Sequence, residues 1–100
     1  MVRAEPQRPD VELLKARLRT LIDSVRAELA LAPSERSTQA AADGLKDIIV
    51  LCEEALAFAE DSADLARASL DGAAHRVVDE WSLSAPLTNE VVKAAQSFRR

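Results

Sequence analysis

The stretch Glu60-Asp61-Ser62-Ala63-Asp64 decides how this chain folds. It contains neither Gly nor Pro, so no strong breaker marks a turn. Asp61 or Ser62 can nevertheless cap a new helix, because a short side-chain oxygen accepts the amides that a first helical turn leaves free. The apolar spacing runs across the stretch almost unbroken, as Ala59, Ala63, Ala66, Leu70, Ala73, Val77 and Trp81. Two all-α architectures follow. If the chain reverses here, it forms an up-down bundle of three longer helices plus a short C-terminal helix. If it continues, residues 35–81 make one helix of about 70 Å at 1.5 Å per residue. One chain could not cover so long a helix, which would then belong to a long helical hairpin that pairs as a dimer. The bundle is the preferred reading.

Upstream, Val11, Leu14, Leu18, Leu21, Ile22, Val25, Leu29 and Ala32 recur at spacings of three and four, one apolar stripe on a helix of about six turns. Asp10 follows Pro9 as its expected cap, and Pro33 ends it. Ser34 or Ser37 is the expected cap of a second helix whose stripe is Ala41, Leu45, Ile48, Cys52, Ala55, Leu56 and Ala59. Val50, Leu51 and Phe58 fall off that stripe. The arc is therefore wide, which implies a helix sandwiched between two neighbours or lying in a subunit interface. Gly44 marks either a close helix crossing or a late start capped by Asp43. Downstream, Ser82 to Pro86 is loop, and Thr88 is the expected cap of the last helix, with Leu87 and Val92 as a hydrophobic staple. The organisation expected is a flexible arm over residues 1–9 and one helical domain over 10–100, with helices at about 11–31, 35–60, 62–81 and 88–99.

Length and composition agree. One hundred residues suffice for one domain, and 48% hydrophobic with 30% charged residues supports a packed core. Two Gly, four Pro and 3% aromatics argue against a sandwich or barrel. No apolar run approaches a membrane span, and the N-terminus has no signal-like block. A single Cys excludes an intrachain disulfide framework, so the cytoplasm is the expected compartment. The Ala and Arg bias suits a GC-rich bacterial genome. The net charge of −4 argues against sequence-nonspecific nucleic-acid binding. Residues 1–50 are balanced and residues 51–100 carry the whole excess.

No enzyme motif is readable, and neither a catalytic residue, a cofactor nor a metal is expected. His75 is the only imidazole and points away from the core stripe, one turn from both Asp71 and Asp79. Flanking carboxylates favour the imidazolium over a metal ligand. Phosphotransfer domains place Lys and Gly soon after their His, whereas Arg76, Val77, Val78 and Asp79 follow here. Cys52 reads as a small buried hydrophobe beside Glu53 and Glu54. The acids Glu53, Glu60, Asp64 and Asp71 recur at spacings of seven, four and seven, a candidate docking face for a basic partner. Val50, Leu51, Phe58, Trp81 and Phe98 are the candidate interface residues, Trp because it is enriched at binding hot spots.

These features point to a small non-enzymatic helical interaction module, a regulator, adaptor or inhibitor of antitoxin or immunity type. Its expected partner is a protein, with homodimerisation through the wide arc. The alternatives are a DNA-associated regulator, disfavoured because no Gly-containing turn leads into a recognition helix, and a His75-dependent phosphotransfer protein or enzyme. Circular dichroism checks the shared premise: the far-ultraviolet spectrum should show the paired minima of helical backbone.

Overall fold

The computed structural model describes the backbone of residues 7–98 and the side chains of residues 11–97. Helix α1 spans Gln7–Ala30, α2 Ala42–Phe58, α3 Ala63–Glu80 and α4 Pro86–Phe98, with a 3-10 turn at Pro33–Glu35. No strand is found among the described residues. Each helix packs on the next in an up-down-up-down order, and α1 touches α4 lightly. The chain is therefore a four-helix bundle, and the continuous helix over 35–81 does not form.

The reversal that decides this lies at Ala59–Ser62. The Ser62 amide donates to the Phe58 carbonyl at 2.7 Å, closing α2, and the Ser62 hydroxyl accepts the Leu65 amide at 3.3 Å, opening α3. One residue thus ends one helix and caps the next. Because α2 lies between α1 and α3, it needs two apolar flanks, which accounts for its wide arc. Leu45, Ile48, Cys52 and Ala55 of α2, with Ala59 just beyond its end, meet Ala66, Leu70, Ala73 and Val77 of α3 in one core. The small side chains on both helices suit a close crossing of about 8 Å.

Helix boundaries depart from the sequence reading in three places, each for a physical reason. Helix α1 starts at Gln7, so residues 7–9 are helical and not part of an arm. Pro9 falls in the first turn, where a missing amide costs nothing. The rest of the expected arm, residues 1–6, lies outside the described residues. Helix α4 starts at Pro86, so Thr88 and Leu87 sit inside it. Thr88 is not a cap: its hydroxyl donates to the Ser82 carbonyl at 2.7 Å.

The largest departure concerns α2, which starts at Ala42 and not near Glu35. Neither Ser34 nor Ser37 caps it, and Asp43 lies in its first turn with Ala41 at the cap. The intervening segment is committed elsewhere. Arg36 donates to the Glu28, Leu29 and Ala40 carbonyls at 3.3, 3.1 and 3.2 Å, covering acceptors left free where α1 ends. Glu28, only 7% exposed, receives the Thr38 amide at 2.8 Å and the Thr38 hydroxyl at 2.7 Å, with Ser37 at 3.4 Å. These ties hold Gln39 in the left-handed region at φ 59°, which only a Gly enters freely. The Thr38 carbonyl in turn accepts the Ser82 amide at 2.9 Å, joining the α1–α2 connection to the α3–α4 corner.

Trp81, 5% exposed, closes the core at this end, with its indole nitrogen 3.9 Å from where a β-carbon on Gly44 would lie. No helix among the described residues is long and apolar enough to cross a membrane. Replacing Glu28 with Ala strands two buried donors at Thr38, each worth roughly 1–3 kcal/mol. Urea unfolding of Glu28→Ala should show a loss of about 3 kcal/mol, and Glu28→Gln, which keeps an acceptor, a loss of about 1 kcal/mol.

Candidate functional site

The outer side of the α2–α3 hairpin is built by a register that one ion pair reports. Arg76 on α3 meets Asp47 on α2 at 2.6 Å, and also meets Glu80 at 3.2 Å. In an antiparallel pair this sets Leu51 level with Gly72, Glu54 with Ser69, and Phe58 with Leu65. Both helices then present the spacing four, three, four along the shared seam, at 47, 51, 54, 58 and 65, 69, 72, 76.

Apolar groups are left uncovered along this side. Val50 is 49%, Phe58 38% and Leu65 52% exposed, and a β-carbon on Gly72 would meet nothing within 4 Å. Ala57 and Ala68, also exposed, lie on the outward stripes of the two helices. Leu51 is partly buried and packs against the core. Two packed helices leave a shallow trough between them, here bordered by Gly72 where side chains are small and by the exposed Phe58 and Leu65 toward the turn.

The acids picked out in the sequence do not form one stripe, because the reversal at Ala59–Ser62 divides them. Glu53 pairs with Arg26 of α1 at 2.7 Å, and Glu60 in the turn pairs with Lys15 of α1. Asp64 pairs with Arg67 at 3.1 Å, and the Asp71 carbonyl accepts from His75. The acids that border the trough are others. Asp43, Glu54, Asp61 and Asp79 are exposed and make no ion pair among the described residues. Leu65 and these four acids were not legible as a set in the sequence, since their juxtaposition depends on where the chain turns. Of the remaining candidates, Trp81 is used within the chain's own core, and the Phe98 side chain lies outside the described residues.

His75 lies in the groove between α3 and α4, about 220 Å³, with Val78, Asp79, Val92 and Gln96 around it. Its Nδ1–H donates to the Asp71 carbonyl at 2.9 Å, since a carbonyl can only accept, and this leaves Nε2 outward. No grouping of three potential metal ligands is present among the described residues. A second groove of about 260 Å³ between α1 and α2 is lined by Arg19, Asp23, Arg26 and Glu53 over Ile22 and Leu56. Its charges alternate in sign, and Arg26 and Glu53 neutralise each other.

No family model, curated protein or solved structure matches this chain. The residues themselves therefore carry the functional argument.

Cys52 is fully buried, and burial pushes its thiol up to about 11, with the Glu53 carboxylate adding to the effect. The folded state thus holds the neutral thiol across neutral pH, the reverse of what a nucleophile needs. Because the folded value lies above the unfolded one near 9.0, this stabilisation is complete below pH 9 and is lost as pH rises through about 11. Two consequences can be measured. Cys52 should resist alkylation at pH 8 until urea unfolds the chain. The wild type should lose about 2–3 kcal/mol more than Cys52→Ala between pH 9 and pH 11.

Proposed function

We propose that this chain is a helical interaction module that regulates, recruits or inhibits a partner protein by binding it through the outer side of α2 and α3. The observation that carries the reading is the exposure of Val50, Phe58 and Leu65 on one side of a single hairpin, around a trough that opens at Gly72. Scattered exposed hydrophobics are ordinary on any surface, but a run of them across two packed helices favours an interface. Each is half exposed or nearly so, and covering it would contribute about 1 kcal/mol. Helix-in-groove recognition uses this kind of surface. The chain needs no reactive group for it. His75 has one backbone bond and an acid beside it, and Cys52 is sealed.

Site-specific photocross-linking in the native host tests the proposal. A benzophenone side chain placed at Phe58 or Leu65 should give one discrete adduct with another polypeptide. The same group at Arg17, exposed on α1, should give none. Adducts of equal yield from all three positions, or from none, would overturn the reading. A His75→Ala variant should retain full function in cells, and a loss there with the fold intact would also count against it.

A further inference from the structure

We infer that the partner segment seated on this side is a basic amphipathic helix, lying along the α2–α3 trough as a fifth helix, and not a second copy of the chain. The inference rests on the interaction reading above and names the occupant.

Charge decides it. Between Asp43 and Glu80 the chain holds ten acidic and three basic side chains, whereas the remaining residues hold seven acidic and ten basic. The hairpin is thus strongly negative and the rest of the molecule positive. Two of the three hairpin cations are already used, Arg76 by Asp47 and Glu80 and Arg67 by Asp64. The uncommitted acids stand on both edges of the apolar strip. Asp43 and Glu54 follow the outward stripe of α2, at the same spacing as Val50 and Ala57. Asp61 stands in the turn beyond its end, and Asp79 lies on the outward stripe of α3, where it also borders the α3–α4 groove.

A second copy would bring the same acids to the same strip. A two-fold axis through its middle sets Glu54 near its own symmetry mate, and like charges in a desolvated contact oppose association. A helix with Leu-type residues at i, i+3, i+4 and i+7 and Lys or Arg on both flanks meets each requirement. Its apolar stripe covers Val50, Phe58 and Leu65, Gly72 admits its backbone, and its cations reach both acidic edges. From Asp43 to Phe58, where α2 ends, the strip is about 22 Å long at 1.5 Å per residue, or about four turns of such a helix.

The test uses the full chain and three synthetic 20-residue helical peptides, followed by fluorescence anisotropy. The first carries the Leu pattern with Lys flanks, the second the same pattern with Glu flanks, and the third the Lys peptide with its Leu positions scrambled. The Lys-flanked peptide should bind at least tenfold tighter than either of the others, and the margin over the Glu-flanked one should shrink severalfold between 20 and 300 mM salt. Phe58→Ala with Leu65→Ala should weaken binding about tenfold, as should Glu54→Lys with Asp61→Lys. Glu35→Lys, exposed on the 3-10 turn, should leave binding unchanged. All are surface changes, and thermal unfolding of each variant confirms the fold.

Equal binding of the Lys- and Glu-flanked peptides overturns the inference. So does equal binding of the scrambled peptide, which would indicate only generic polycation attraction. A concentration-dependent dimer in sedimentation that Phe58→Glu dissolves also overturns it, while leaving the surface an interface. Failure of the cross-linking above, by contrast, removes the interaction reading itself.

Discussion

Everything distinctive about this molecule depends on one residue ending a helix and beginning another. The Ser62 amide satisfies the last turn of α2 and its hydroxyl satisfies the first turn of α3. Helix ends leave four unmet groups each, and here one residue meets a group on either side of the reversal. With that reversal in place, the register of the hairpin follows, and Asp47 finds Arg76 at the far end. Phe58 then stands beside Leu65, residues seven apart along a chain that has turned between them. Without the reversal the same spacing would describe a single stripe on one long rod.

This is why the fold was legible in the sequence and the candidate site was only partly so. The class and the core of α1 follow from local periodicity, which survives any arrangement of neighbours, whereas the number of helices hangs on a turn across which that periodicity runs almost unbroken. Val50 and Phe58 were legible for the same reason, since they fall off the stripe of their own helix. Leu65, Glu54 and Asp61 could be grouped with them only after the turn was located. The acids Glu53, Glu60, Asp64 and Asp71 show the converse error, a regular spacing that straddles a turn and so loses its meaning. The start of α2 is displaced because Ser37 and Thr38 are committed to the Glu28 carboxylate, nine and ten residues back along the chain. Glu28 had a signal after all: it continues the Leu14, Leu18, Leu21, Val25 stripe, and a charge on an apolar stripe calls for buried partners.

The distribution of charge has a structural logic independent of any partner. Lys15 and Arg26 of α1 reach across to Glu60 and Glu53, so part of the hairpin's negative charge is balanced inside the bundle. Such exposed pairs contribute little to stability. Their effect is to leave the excess on the side that faces away from α1. Segregation of this kind orients an approaching cationic segment before contact, and its reach shortens as salt is added.

The bond from the Ser82 amide to the Thr38 carbonyl makes the two ends of the bundle mechanically unequal. At one end both long connections are latched together, with Arg36 and Glu28 bracing the latch from within. At the other, the short link between α2 and α3 is tied to α1 by the exposed pair of Glu60 with Lys15. The two ends are therefore held by different means, one by backbone hydrogen bonds and a buried carboxylate and the other by a surface ion pair. Added salt screens the exposed pair and barely touches the buried bonds, so ionic strength acts unequally on the two ends of the same bundle.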